Sequence, residues 1–424
     1  MKHTSNYKPK DFAELFKCIC KNFTKIEEDR DMLRAYKVEL KPTPQQIQKI
    51  NQNIGVCRWL YNQYIAHNID LYKQFQDGLI DKKKSFFSAY DFDKYINNNV
   101  KSLEEYNWIN LCGSKARKQS IMNAEMAFKR FFKGVGGFPR FKKKTNQDIG
   151  LYFPKNSKND WKIDRHRIKI PTLKWVRLKE FGYIPSNANI KSGTISRNGN
   201  KYFVSVLVEC DWSVQTTEFT EGLGIDLGLK NLAVISNGTV KKNINKTKKV
   251  KGLEKKLKRE QRKLSRKYES LKLRNKVEGE NATRQNIQKQ IAKVQKIHQK
   301  LTNIRNDYVN KTISEIVKQK PSYITIEDLN VKEMMKNKHL SKAIAQQKFY
   351  GFRVKLTNKC KLHGIELRVV DRFYPSSKLC HECGCINKDL KLSDRTYVCE
   401  CGYVEDRDLN ASYNLRDAKI YKVA

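Results

Sequence analysis

The chain has 424 residues, room for two or three domains each with its own core, and 39% of them are apolar. Its 86 Lys and Arg against 44 Asp and Glu give a formal charge of +42, which repels itself in a compact state unless a polyanion is bound. Basic residues run through the whole chain among aromatics, which favours nucleic acid over an anionic membrane surface or a solubility device, and no apolar run approaches the roughly 18–20 residues of a membrane span.

The first residues, MKHTSNYKPKDF, lack the apolar segment of a secretory signal, so a reducing cytoplasmic setting is expected. Residues 1–32 form a preamble in which Asn6–Phe16 is expected as one amphipathic helix. Leu33 to Leu40 then alternates like a strand, ended by Pro42. Helical patterns dominate from about 44 to 133. Thr43 can cap the first helix, with Pro44 at its first position and Gln46 in the capping-box place. Ala124–Phe132 runs into a glycine-broken turn followed by Phe138-Pro139-Arg140-Phe141-Lys142-Lys143-Lys144. Within it Arg140, Lys142 and Lys143 are the candidate contacts to a nucleic-acid backbone. From about 150 to 212 the signal changes to short strands, with a hairpin turn at Arg197-Asn-Gly-Asn200. This segment reads as a small antiparallel sheet or barrel. Its first strand is expected to be the distant 33–40, with the helices of 44–140 inserted.

Residues 221–235, EGLGIDLGLKNLAVI, read as two buried strands around a tight turn. A charged stretch at about 250–320 suits a helical hairpin, part of it a solvated face. Tyr323–Glu327 is another strand, 341–362 another helix, and the strand Ile365–Val370 leads to a cysteine cluster. A final helix is expected to open near Asp408.

Three acidic residues each sit where an apolar element ends or turns. Asp226 lies within a nearly uncharged stretch, where a carboxylate is costly unless it is paired or holds a cation. Glu327 ends YITI, and Asp408 opens a helix, where the dipole favours an anion. Hydrolysing a phosphodiester in line calls for carboxylates that hold two divalent ions, and magnesium suits such all-oxygen sites. Taken singly, each is most simply a turn or cap residue; their order along the chain makes them candidates. The neighbours Asp406 and Asp328 are read as a supporting or capping group and as a helix N-cap.

Of 11 cysteines, Cys18, Cys20, Cys57, Cys112, Cys210 and Cys360 are scattered and read as packing residues. Cys380-His-Glu-Cys383 and Cys399-Glu-Cys401 are each followed by glycine, so two knuckles can bring four thiolates into a closed, structural zinc site. The second pair is C-x-C where zinc ribbons usually have C-x-x-C. Cys385 and His381 are further candidate ligands.

These residues resemble the TnpB family, the RNA-guided endonucleases of small insertion sequences, and the related compact type V CRISPR effectors. The likeness runs from about Leu33 to Leu415. It is carried by RAYKVELKPTPQQ, GVCRWLYN at 55–62, AFKRFFKGVGGFPRFKKK at 127–144, GIDLGLKNLAV at 224–234, QRKLSRK at 261–267, ITIEDLNV at 324–331, YPSSKLCHECG at 374–384 and CGYVEDRDLNASYNL at 401–415. The preamble motif YKPKDFAELF lies outside it and looks like the opening of the DNA-binding domain of serine recombinases.

The resemblance implies an α/β plus β-barrel fold. It gives an N-terminal extension over 1–32, the first strand of a wedge-type barrel at 33–43, and a helical recognition insert at 44–140. The rest of the wedge barrel follows at 141–218. A RuvC/RNase H-like nuclease domain fills 219–424, with a zinc ribbon at about 376–404. It further implies Asp226, Glu327 and Asp408 as catalytic ligands of two magnesium ions, and Cys380, Cys383, Cys399 and Cys401 as ligands of structural zinc. The partners would be a guide RNA from the element's end and double-stranded target DNA beside a short protein-read motif, in a prokaryotic, nucleoid-associated setting. A monomer is expected for a transposon protein and a dimer for a CRISPR effector. A nuclease-dead RNA-guided repressor and a strand-joining transposase are the competing readings. The first is disfavoured by three intact carboxylates, the second by the want of a further nucleophile.

Overall fold

The computed structural model describes residues 33–81, 84–144, 150–157, 159–199, 201–209, 218–277, 283–391 and 393–424. The chain falls into two compact units that divide after position 211. The preamble helix expected at 6–16, and Cys18, Cys20 and Cys210, lie outside the described residues.

In the first unit, β1 (Leu33–Lys41) alternates so that Tyr36, Val38 and Leu40 are buried. Further strands are β2 (Leu151–Pro154), β3 (Lys162–Asp164), β4 (Arg167–Ile170), β5 (Lys174–Leu178), β6 (Asn189–Asn198) and β7 (Lys201–Glu209). All pair antiparallel, in the order β2-β6-β7-β1-β5-β4-β3. Asn198 faces Lys201 across the expected hairpin turn, where Gly199 takes φ +61°. No pair joins β2 to β3 among the described residues, so the sheet is open where a closed barrel was expected. The edge strands β2 and β3 have four and three residues and each pairs on one side only among the described residues.

Between β1 and β2 lie α1 (Pro44–Gln76), α2 (Ala89–Tyr95) and α3 (Ser114–Phe132). The capping box at the start of α1 is present: the Thr43 hydroxyl accepts from Gln46 N–H at 3.3 Å, and the Gln46 side chain accepts from Thr43 N–H at 3.0 Å. Ile50, Leu60, Tyr64, Ile121 and Phe128 join the helices to one core with the sheet.

The second unit carries β8 (Leu223–Asp226), β9 (Asn231–Ile235), β10 (Val240–Lys242), β11 (Tyr323–Glu327), β12 (Glu366–Val370), β13 (Thr396–Val398), β14 (Val404–Asp406) and β15 (Lys422–Val423). Six form a mixed sheet in the order β10-β9-β8-β11-β12-β15, with β8, β11 and β12 parallel, while β13 and β14 make a separate hairpin. The helices are α4 (Lys248–Val277), α5 (Gln285–Lys318), α6 (Val331–Met334), α7 (Ser341–Gln347), α8 (Phe349–His363) and α9 (Arg407–Arg416). Val250, Leu253, Leu257, Ile297 and Leu301 zip α4 to α5 as the expected hairpin. The single helix expected over 341–362 is two, because Lys348 takes a left-handed φ of +58° and donates to Asn306 Oδ1 at 2.9 Å.

Side-chain alternation sorts the sheet into two faces. Leu223, Ile225, Ile324, Ile326, Leu367 and Val369 point into a core with Val309, Ile313 and Ile316 of α5 and Phe352 and Leu356 of α8. The intervening residues, among them Gly222, Gly224, Asp226, Thr325 and Glu327, belong to the opposite face, over which α9 lies.

Candidate active site

Asp226 and Glu327 close neighbouring parallel strands. The register pairs Ile225 with Ile326, so the two carboxylates are the next pair at the C-terminal ends, on one face. Adjacent strands stand roughly 4.8 Å apart, and the C-terminal edge of parallel strands is where open α/β sheets gather their ligands.

The third acid arrives on α9. Gly224 makes this possible: a Cβ there would sit 1.9 Å from the carbonyl oxygen of Ser412 and 2.4 Å from the amide nitrogen of Arg416, so the helix backbone rests directly on β8. At Gly222 the obstacle is a side chain instead, since a Cβ there would stand 2.1 Å from the Tyr323 ring, which would have to shift. Asp406 caps α9, its carboxylate accepting from the N–H groups of Asp408 at 3.0 Å and Leu409 at 3.2 Å. Asp408 therefore occupies the first turn, where its carboxylate accepts from Arg407 Nη2 at 3.0 Å.

The three acids are electrostatically one group. Burial first, then Glu327 and Asp408, push the Asp226 carboxyl well above the usual carboxylate range, and Arg407 only partly offsets them. Burial also raises Glu327, and the Ser376 hydroxyl, which donates to its carboxylate, opposes that rise. Asp226 and Glu327, held above the ordinary carboxylate range, form with the neighbouring Asp408 carboxylate a cation-seeking set, and hard divalent cations are its natural complement.

The cysteines close a second cluster. Sγ atoms of Cys380, Cys383, Cys399 and Cys401 all lie within 4.8 Å of one another. The Cys380–Cys401 separation is 3.7 Å and the Cys383–Cys399 separation 3.5 Å. A tetrahedron of zinc–sulfur bonds of about 2.3 Å has sulfur–sulfur edges of about 3.8 Å, so this donor set fits zinc. The C-x-C knuckle reaches the site because Gly402 turns back at φ +90° and donates to the Cys399 carbonyl at 3.0 Å. Backbone N–H of Cys385, and then the Cys399 thiol, lower the Cys383 thiol to about 6, toward the thiolate a metal requires. Cys385 and His381 fall outside the four: Cys385 closes the first knuckle through its carbonyl, and His381 packs on Tyr413.

The two clusters are bolted together. Asn410 of α9 donates to the Leu379 carbonyl at 2.8 Å, and Asn414 donates to those of Ser376 and Leu379 at 2.8 and 2.7 Å. The cysteine hairpin also runs without a gap through β14 into the Asp406 cap. Ser376, Asn410 and Asn414 were not singled out from sequence. The signal was their spacing: Asn410 and Asn414 share one helix face four residues apart.

Other expectations shift. Asp328 is no helix cap; Asn330 caps α6, and Asp328 instead pairs with Arg353 and, at 3.5 Å, with Arg372. Asp328 lies too far before the helix to reach its first amides. In the first unit, Arg140 and Lys143 are exposed, whereas Lys142 is half-buried. The Lys142 backbone is clamped by the Asn62 amide at 2.8 and 3.0 Å, and its ammonium sits 4.7 Å over the Tyr61 ring.

Comparison with known proteins places these features in a lineage. Family models match at residues 349–415 (Cas12f1-like, TNB domain), 205–338 (OrfB of IS605, "Probable transposase") and 32–77 (the helix-turn-helix domain of the same OrfB group). An Escherichia coli K12 protein named "Putative RNA-guided DNA endonuclease InsQ" is 30% identical over 400 residues, 90% of this chain and 91% of its own. A Streptomyces pristinaespiralis protein of like name is 27% identical, covering 90% of this chain and 88% of its own. Among solved structures, the Cas12f1 chain of a Cas12f1–sgRNA–target DNA complex superposes with a TM-score of 0.52 at 16% identity, covering 89% of this chain and 84% of that one, a likeness of fold. The chain belongs to the TnpB family, the RNA-guided DNA endonucleases of insertion sequences.

Proposed function

We propose that the protein is a magnesium-dependent, RuvC-type endonuclease that cuts double-stranded DNA selected by pairing with a guide RNA from its own mobile element. The observation that carries this reading is that Asp226 and Glu327 end neighbouring strands on one face of the sheet, with Asp408 in the first turn of the helix packed over that face. Guide and target would be held by backbone and shape contacts, which suits a charge of +42 spread along the chain. The protein itself would read only a short motif beside the target.

Asp226, Glu327 and Asp408 would hold the magnesium ions. When bound, these supply an activated water and stabilise the leaving oxygen of an in-line displacement. The chain's own groups prepare that site. Burial and mutual repulsion keep the carboxylates cation-seeking, Arg407 limits their net charge, and Ser376 fixes the orientation of Glu327. Zinc at the four cysteines would stiffen the hairpin that leads into the Asp408 helix. Intact carboxylates favour cutting over guided repression.

The test is to purify the protein from its native locus, sequence the RNA that accompanies it, and offer that complex a matching duplex in magnesium. Cutting that follows the RNA sequence is expected. Absence of any bound RNA, or cutting indifferent to sequence, contradicts the proposal.

A further inference from the structure

We infer that Phe373, assisted by Tyr350 and the Arg353–Arg372 pair, forms a stacking platform that holds an unpaired DNA base beside the carboxylate site; this rests on the nuclease reading above. Phe373 is 86% exposed and Tyr350 71%, levels at which neither ring contributes appreciably to a core. Both border clefts that share Glu327, Asp328 and Arg372: Phe373 lines one of about 520 Å³, and Tyr350 lines its neighbour of similar size.

The Phe373 ring is displayed on a stiff support. Its N–H donates to Asp371 Oδ1 at 2.9 Å, and Tyr374 N–H donates to the Asp371 carbonyl at 3.1 Å. Tyr374 is tied through its hydroxyl to the Asn414 carbonyl of α9 at 3.1 Å, and Ser376, three residues beyond Phe373, grips Glu327. The ring is thus held at a set place relative to two of the three acids.

Charge bears on the occupant. Arg353 and Arg372 share the single carboxylate of Asp328 and, with Lys332, outnumber Glu327 and Asp328 along the Tyr350 cleft; in the Phe373 cleft Arg372 faces Glu327, Asp328 and Glu333, of which Asp328 is paired with the arginines and Glu333 with Lys336. An exposed ring with arginines alongside is the usual equipment for single-stranded nucleic acid, because a base offers its flat face only once it leaves the duplex. The DNA strand entering the carboxylate site is such a strand, with its scissile phosphate at Glu327 and a neighbouring base on Phe373.

The test uses the RNA-loaded full-length protein and a target duplex pre-opened as a bubble, with Phe373→Ala, Phe373→Trp and Asp226→Ala compared in magnesium. Loss of one stacked base corresponds to about 5- to 150-fold, so Phe373→Ala should cut that much more slowly with guided target binding unchanged, and Phe373→Trp should cut near the normal rate. A target with a single abasic position scanned past the cut should slow the unaltered protein at one position and leave Phe373→Ala indifferent there. If Phe373→Ala cuts at the normal rate while Asp226→Ala is inert, the platform is wrong and the nuclease reading stands. If Asp226→Ala also cuts, the nuclease reading and the platform built on it both fall. If Phe373→Ala alters only the sedimentation of the protein, the ring is a protein contact and the inference fails.

Discussion

Replacing Gly224 by alanine probes the contact that joins the third acid to the other two. The added Cβ would meet backbone atoms of α9 at 1.9 and 2.4 Å, where real Cβ contacts stay beyond 3.0 Å. Neither Ser412 O nor Arg416 N can swing aside as a side-chain tip would. The helix must therefore retreat by at least about 1 Å, a displacement that can cost on the order of 100-fold in rate when it misplaces a reacting group. Overpacking of this kind costs about 1–3 kcal/mol, and for a unit of this size that lowers the melting temperature by roughly 2–12 °C. Gly252→Ala is the control, since nothing lies within 4 Å of its Cβ and it sits inside α4. That change should stabilise by up to about 1 kcal/mol. Melting by circular dichroism and guided cleavage by the RNA-loaded variants provide the two readouts. A Gly224→Ala protein that melts and cuts like the parent would refute the packing of α9 on β8.

Asn414→Ala should take the side-chain donor from the Ser376 carbonyl while Leu379 keeps Asn410, costing about 1–3 kcal/mol in denaturant unfolding; unchanged unfolding would show that water replaces the amide. The Asp226 carboxyl, raised by burial, Glu327 and Asp408, makes metal-free stability depend on pH. Because the folded state holds that proton more tightly than the unfolded one, its contribution is full below the ordinary carboxylate range and is lost as pH rises through the raised value. Asp226→Asn should accordingly melt higher than the parent in chelator at neutral pH, with the gap shrinking toward pH 4. A pH-independent gap would contradict the shift. Cys380→Ser should lower both zinc content and melting temperature, as structural zinc contributes directly to folding; intact zinc stoichiometry would exclude Cys380 as a ligand.

Local chemistry was the most readable part of the chain. Thr43, Pro44 and Gln46 announce a helix start wherever they occur in that order, and the Asn-Gly turn after Arg197 announces a hairpin. The family likeness was also legible, because its motifs are short, ordered and spread over most of the chain. What brings Asp226 to α9 was harder to read. Gly222 and Gly224 sit four and two residues before the aspartate, so all three share a strand face, but an isolated glycine reads equally well as a turn. Only the close approach of the Ser412 carbonyl explains why that face must be bare. Whether the first unit's strands stay an open sheet or close into a barrel was left undecided by the residues, because pairing between distant strands leaves little trace in either strand alone, and the barrel came from the resemblance. Lys348 illustrates the same limit, since a lysine in left-handed backbone carries no local signal and splits a helix that looks continuous. Asp328 and Asn330 are both good cap residues, and the partners Arg353 and Arg372 decide between them from far along the chain.

The most direct test of the central claim is guided cleavage by the RNA-loaded protein carrying Asp226→Ala, Glu327→Ala or Asp408→Ala, each assayed in magnesium beside its RNA binding and guided DNA binding. All three should bind RNA and target as the parent does and cut neither strand. Cutting in magnesium by any one of them would contradict the assignment of that carboxylate, and undiminished cutting by all three would mean that the chemistry resides elsewhere.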